Sequence, residues 1–457
     1  MRLPICLVLG LAITQFLLTD RSFSQETWPQ FRGKNAAGVG DGNPPIEWDL
    51  ESGKNVQWRT AIEGLAHSSP IVVGKRIYLT TAISEKTDEP SLDTGWLGGT
   101  GKSADDEGNW QWQMWCLDLD TGKKLWAKNL VEGEPKRKRH LKASHANCTP
   151  ASDGKHIVAF FASEGLFCLD MDGNQVWKKD LGDLHSGPYN AKKLEWGFAS
   201  SPIIYDGKVI VQCDCLNTGF VSILDVKDGK EVRRIERNDV ATWSTPAVIE
   251  TENGPQLVCN GYKQMAGYDF KTGDQLWTLS GGGDVPVPTP LFANGLIVIT
   301  NGHGRSPTYA ITPNAKGDLT PKKDAESLPE GLVWFQPRDG SYMPTPIIVG
   351  DQLYTCNDNG VLTVRNLKTG EKVYKTRVGK SSGTFSASAV ATKKQIYFSD
   401  EKGKVKVVKT GDDYELLAEN DLEEPIMATP AIVGDRLLIR TTKRLVCIGR
   451  TKSPEND

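Results

Sequence analysis

A recurrence constrains this chain more than any other feature. A Ser or Thr followed by Pro, once by Ala, opens an apolar run at eight places: Ser69-Pro70, Thr149-Pro150, Ser201-Pro202, Thr245-Pro246, Thr289-Pro290, Thr345-Pro346, Ser388-Ala389 and Thr429-Pro430. The second members are separated by 80, 52, 44, 44, 56, 43 and 41 residues. A basal spacing in the low forties is the length of four short strands joined by tight turns. Each start leads through a Gly or Asp turn to a second apolar strand. The latter half of the unit is equally regular. Leu117-Asp118-Leu119-Asp120-Thr121-Gly122 leads to Trp126, Leu169-Asp170-Met171-Asp172-Gly173 to Trp177, and Tyr268-Asp269-Phe270-Lys271-Thr272-Gly273 to Trp277. Leu224-Asp225 with Asp228-Gly229 leads to Arg233, and Asn366-Leu367-Lys368-Thr369-Gly370 to Tyr374. These segments predict a strand, a hairpin turn and an outer strand. The aromatic four residues past the Gly is expected to pack between neighbouring units, because no unit can bury both faces alone.

The last unit supplies three strands only, over Met427–Val433, Arg436–Thr441 and Arg444–Gly449. Near the other end, Asn55–Ile62 offers the missing strand, with Trp58 in the outer aromatic position. Joining the two ends closes a ring and protects the last sheet edge. The expectation is an all-β, eight-bladed β-propeller with four-stranded antiparallel blades, the last closed by an N-terminal strand. It spans residues 56–450, preceded by a lead-in over 25–55 and followed by a tail over 451–457.

Residues 1–24 predict a signal peptide: Arg2, then the apolar stretch Leu7–Leu18, then small residues at Ser22-Phe23-Ser24. The chain is therefore expected to be exported, periplasmic or secreted. Cys6 lies before the apolar run, which argues against lipid attachment, and no later segment is apolar enough to anchor in a membrane. A formal net charge of −3 gives no reason to expect a nucleic-acid or anionic-membrane partner. Eight of the nine cysteines follow the signal, mostly within strand-like runs. They read as small buried apolar side chains, and Cys213 and Cys215 could not bond directly without backbone distortion.

Three segments depart from the repeat. Ser84–Gln113 is long, rich in Gly and acidic residues, and carries Trp96, Trp110 and Trp112; a folded flap over one face and a mobile loop are the two readings. Lys136-Arg137-Lys138-Arg139-His140 reads as a solvated basic loop. The sharper alternative is an anionic contact, with the acidic flap through Asp105, Asp106 and Glu107 as one candidate. Thr312–Pro329 reads as a polar surface loop interrupting the fifth unit.

The Ser/Thr-Pro starts and the Leu-Asp-x-x-Thr-Gly-x-x-x-Trp turns resemble the pyrroloquinoline-quinone (PQQ) repeat family of β-propellers over nearly the whole chain after the signal. The opening Trp28-Pro29-Gln30-Phe31-Arg32-Gly33 looks like the lead-in of exported bacterial members. The resemblance implies the fold firmly and an activity weakly. As functional analogue it implies the propeller lipoproteins that assist outer-membrane β-barrel assembly. For the family's quinone enzymes it implies a calcium site of carboxylate and amide oxygens, a general-base Asp, a Trp platform and often two adjacent cysteines. This chain has no adjacent pair, because Asp214 separates Cys213 from Cys215, and no ligand set can be matched.

Residues just before the Ser/Thr-Pro sites are expected to line one end of the central channel. They include His67, His145, Asn147, Trp196, Phe198, Trp243, Tyr342, Met343, Phe385 and Met427, with His185, His303 and Arg305 from nearby loops. The ordinary reading is that they plug the channel; the functional one is a mouth for an extended peptide or a flat ligand. No two of the six histidines stand at metal-binding spacing. No catalytic residues are assigned. The preferred reading is a non-enzymatic exported platform for a protein or peptide partner, monomeric, without a cofactor. The alternatives are a PQQ- and calcium-dependent oxidoreductase or small-ligand sensor, and a carbohydrate binder using Trp96, Trp110 and Trp112.

Overall fold

The computed structural model describes residues 27–86, 90–97, 101–323, 325–380 and 382–450. The signal expected over 1–24 and the tail expected over 451–457 lie outside the described residues. Eight antiparallel sheets succeed one another along the chain and form an eight-bladed propeller. Blade 1 contains Ile71–Val73, Arg76–Ser84, Trp110–Asp118 and Lys124–Gly133. Blade 2 lies within Ala151–Lys179, blade 3 within Ile203–Glu236, blade 4 within Ala247–Leu279, blade 5 within Leu291–Gln336, blade 6 within Ile347–Arg377 and blade 7 within Val390–Asp421. In blade 8, Ala431–Val433, Arg436–Arg440 and Arg444–Ile448 are completed by Val56–Ala61, which pairs antiparallel with Arg444–Ile448. The ring is closed as the incomplete last repeat predicts.

The two motifs of the repeat have separate structural reasons. The Ser or Thr opening each unit stands at the inner end of its blade, and in all but Ser69 and Thr289 its hydroxyl accepts a backbone N–H from the preceding one. Ser69 N donates to Thr149 Oγ1 at 2.9 Å, Thr149 N to Ser201 Oγ at 2.9 Å and Ser201 N to Thr245 Oγ1 at 3.0 Å. The chain resumes with Thr289 N to Thr345 Oγ1, Thr345 N to Ser388 Oγ and Ser388 N to Thr429 Oγ1. A belt of hydroxyls thus ties the blades around the axis and satisfies buried amides that no strand pairs.

The outer turn works through its Asp and its Gly. Asp118 Oδ1 accepts the N–H groups of Asp120 and Thr121, and Asn366 Oδ1 those of Lys368 and Thr369; this side-chain bonding to the local backbone fixes the hairpin. Gly122 and Gly229 both take φ of +69°. They also lie under the neighbouring blade's aromatic: a Cβ would come within 2.4 Å of Trp58 at Gly122 and 2.7 Å of Trp177 at Gly229. The indoles are anchored in turn, Trp58 Nε1 donating to Leu119 O at 3.0 Å and Trp177 Nε1 to Val226 O at 2.7 Å. Each contact joins one blade's outer strand to the next blade's turn. The apolar clusters lie between blades in the same way, one of them running from blade 7 through blade 8 to blade 1.

All eight cysteines after the signal are free and buried, and burial raises their thiols, Cys116 and Cys447 to about 12. Two sheets exceed four strands. Thr27–Trp28 adds to the inner edge of blade 1, and Gly317–Asp318 pairs in parallel with Trp277–Thr278 of blade 4. The Thr312–Pro329 insertion is therefore not a plain surface loop. Its Ala315 and Leu319 are buried, and it covers Trp277 where the fifth unit lacks the usual turn.

The lead-in crosses the bottom of the channel. Pro29 O accepts Ser152 N–H from blade 2 at 2.8 Å. Arg32, fully buried, donates to Ala36 O at 3.1 Å and Ala37 O at 3.3 Å in its own segment. It also reaches Pro346 O at 2.8 Å and Ala389 O at 2.9 Å in blades 6 and 7. Burial without a carboxylate pushes its guanidinium down to about 9. The chain then pairs Val39 with Ala391 and runs between blades 7 and 8 to the closing strand, with Tyr397 donating to Pro44 O. Among the described residues no helix is long and apolar enough to cross a membrane.

Candidate functional site: the axial mouth

At the opposite end of the channel a cavity of about 520 Å³ opens between the loops that join successive blades. The ordinary expectation of a mouth plugged by its own side chains is not met at this end; the plug is the lead-in below, whose Phe31 forms the floor. Of the expected residues, His67, Asn147, Trp196, Trp243, His303 and Tyr342 line the cavity, as do Met343 and Met427. His145 and Phe198 sit behind it, against a void of about 40 Å³. Phe385 is buried in the core between blades 6 and 7 beneath Lys406. Arg305 is exposed and His185 partly buried, both away from the lining.

The walls are aromatic. Trp196 and Trp243 stand 5.8 Å apart at 39°, and Trp243 Nε1 donates to Gly197 O at 2.7 Å. His140 meets Trp196 edge-on at 5.4 Å. His140 Nδ1 accepts Lys142 N–H at 3.0 Å, which leaves the ring proton on Nε2. Tyr189 stacks on Tyr262 at 5.7 Å, and His303 packs on Tyr342 while its Nδ1 bonds Asp284. Burial pushes His67 down to about 3 and His140 to about 4, so both are neutral at pH 7. Burial raises the Tyr342 hydroxyl to about 12.

The insertion of blade 1 roofs part of the mouth. Trp96 lines the cavity while remaining 77% exposed. Gly95 N donates to Glu401 Oε2 at 2.6 Å, Lys142 Nζ to Gly95 O at 2.8 Å and Lys142 Nζ to Glu401 Oε1 at 2.6 Å. Ser386 Oγ and Thr384 Oγ1 also donate to Glu401, which is 1% exposed. Sequence reading missed this latch, because its two charges lie 259 residues apart and neither belongs to a repeated motif.

The basic run after blade 1 is solvated only in part: Lys136 and Lys138 are exposed, and Arg139 is not. Arg139 is fully buried and pairs with Asp106 at 2.6 Å, Asp106 meets His145 Nε2 at 3.0 Å, and Lys138 meets Asp105 at 2.6 Å. The anionic contact to the flap is thus real for Asp105 and Asp106. Glu107 pairs with Lys86 instead, at 3.5 Å. Arg139 and His145 together hold the Asp106 carboxyl below its ordinary range against the opposing effect of burial. The described parts of the flap are docked by these contacts. Trp110 and Trp112 belong to its strand and are buried, so of the three tryptophans only Trp96 offers a face to a sugar.

The donor set does not fit a calcium–quinone pair. Both Glu401 oxygens are engaged by Lys142, Gly95 and the two hydroxyls, and an ammonium occupies the position a cation would need. Asp284 is shared with His303. Among the described residues no three His, Cys, Asp or Glu side chains converge as a metal site. Hard cations need several free oxygen donors.

A family model described as outer membrane protein assembly factor BamB matches residues 113–376. The outer membrane protein assembly factor BamB of Shewanella oneidensis is 21% identical over 317 residues, covering 65% of this chain and 72% of that one. Among solved structures, BamB from Moraxella catarrhalis superposes with a TM-score of 0.53 at 16% identity, covering 81% of this chain and 99% of that one. A europium-containing methanol dehydrogenase superposes with a TM-score of 0.64 at 11% identity, covering 92% and 91%. At such identities the two structures show a shared propeller fold and no more. The family model, in contrast, spans more than half of the sequence, and the chain belongs to the family of PQQ-repeat propellers described by the outer membrane protein assembly factor BamB.

Proposed function

We propose that this protein is an exported, non-enzymatic propeller whose axial mouth binds an extended segment of a protein partner. The observation that carries the reading is the 520 Å³ cavity, walled by Trp96, Trp196, Trp243, Tyr189 and Tyr342 and floored by Phe31 of the lead-in. Rigid aromatic walls lose little entropy on binding and bury large apolar areas. The blade loops around them carry backbone groups for an extended chain. The family's assembly-factor description supports a role in holding other proteins. Residues 1–24 would direct export to the periplasm or beyond, and residues 25–450 would work as a single chain.

A selection from a displayed library of extended heptapeptides tests this, followed by calorimetry. Ala199 lines the cavity, and Ala199→Trp would fill it. Binding that saturates on the wild-type chain and is lost in Ala199→Trp supports the reading. Binding unaffected by the filled cavity, or no saturable binding at all, contradicts it.

The cavity volume also lies in the range of small-molecule pockets, which favours a flat-ligand sensor as the second reading. Titration with PQQ and calcium, followed by tryptophan fluorescence, separates the two. Saturable quenching there would favour the small ligand, despite the poor fit of the donor set.

A further inference from the structure

The charged groups of the mouth are unequal in number and unequally satisfied. Among the described residues one ammonium faces the cavity, Lys142, and it is neutralised at 2.6 Å by Glu401. His67 and His140 line the same space as neutral rings. Two further carboxylates remain. Asp284 is hydrogen-bonded to His303 Nδ1. Asp358 lines the cavity, half-buried, and forms no ion pair among the described residues. Burial raises its carboxyl and Glu401 adds to the rise, while its own backbone N–H, Lys142 and the Asn359 N–H oppose the effect only in part. A carboxylate held in that state gains from any cation brought beside it.

The cavity that Asp358 and Asp284 line also carries Trp96, Trp196, Trp243, Tyr189 and Tyr342, and Tyr342 is close enough to feel both carboxylates. The faces of these rings carry partial negative charge and attract an organic cation, more strongly where water is excluded. Apolar walls with a carboxylate surplus suit an ammonium or guanidinium on an apolar stem. They disfavour an acidic segment, which would meet Asp358, Asp284 and Glu401 together.

We infer that the mouth selects a partner segment carrying a Lys or Arg side chain, whose head group enters among the mouth tryptophans and reaches Asp358. This rests on the platform reading and adds the chemistry of the segment. The roof and the belt of hydroxyls hold the walls; Asp358, on the loop of blade 6, supplies the charge.

The test uses the full chain and three probes differing at one central residue: acetylated, amidated extended pentapeptides with Lys, Gln or Glu among Gly and Ala. Calorimetry reads the affinities at low salt. The lysine peptide is expected to bind about tenfold tighter than the glutamine peptide, with the glutamate peptide weakest. Asp358→Asn, nearly isosteric, should remove the preference while leaving the glutamine peptide unchanged. Trp96→Leu, at a position 77% exposed, should weaken the lysine peptide severalfold. Equal affinities for lysine and glutamine overturn the inference and leave the platform reading standing. A preference that survives in Asp358→Asn overturns the placement of the head group. Absence of binding by every peptide overturns both.

Discussion

At the scale of single residues, the titrating groups near the mouth make a stability prediction. His67 and His140 protonate in the folded chain only near pH 3 and 4, and burial also lowers His145 despite its contact with Asp106. In the unfolded chain they protonate near 6.5. Below about pH 6.5 the unfolded state therefore binds more protons, and stability falls as pH drops, by up to about 1.4 kcal/mol per pH unit for each histidine. Denaturant melts between pH 7 and 5, above the carboxylate range, should show this slope, and His67→Gln should reduce it. A flat profile there would show these rings to be solvated. The hydroxyl belt gives a second test. Thr345→Val removes the acceptor of Thr289 N–H, 3.1 Å away, and leaves a buried amide unpaired. Loss of about 1–3 kcal/mol is expected; an unchanged chemical melt would mean that water replaces the hydroxyl. The Ser/Thr-Pro periodicity is plain in the sequence, yet the acceptor role of its hydroxyl is not, because the donor belongs to the next repeat.

At the scale of elements, the turn glycine serves its own hairpin and its neighbour. Gly207 and Gly229 have nearly the same φ, +66° and +69°, but a Cβ meets nothing within 4 Å at Gly207 and Trp177 at 2.7 Å at Gly229. Gly207→Ala should therefore cost about 1 kcal/mol of backbone strain. Gly229→Ala should cost roughly 2 kcal/mol more, by displacing the indole. Equal costs would show that the inter-blade contact is slack. Strands, turns and blade number were legible because each repeats. Single-copy features were not. Nothing local marks Arg32 as the plug of the channel, Lys142 and Glu401 as a latch, or Arg139 as the buried partner of Asp106. A basic run in isolation resembles solvent-facing charge, and only the docking of the distant flap desolvates it. Trp110 and Trp112 read as part of an insertion, although they continue a strand of blade 1.

For the molecule as a whole, closure makes the ring one cooperative unit. Val56–Ala61 joins the first blade's approach to the last blade's edge. The lead-in before it touches blades 1, 2, 6, 7 and 8 through Trp28, Pro29, Arg32, Val39 and Asn43. A chain beginning at residue 62 lacks both the closing strand and the plug. It should expose the edge of Arg444–Ile448 and aggregate, whereas a monomer with an unchanged melting temperature would show closure to be dispensable. The lead-in plugs one end of the channel with Phe31 as the floor, and that asymmetry is the reason to seek the proposed binding surface at the aromatic mouth rather than along the outer strands. The structure of the full chain crystallised with the lysine-bearing pentapeptide tests this directly. The account predicts the peptide at the mouth, with its ammonium beside Asp358 and between Trp96 and Trp243. A peptide paired along an outer strand such as Lys124–Gly133, with the mouth vacant, would contradict it.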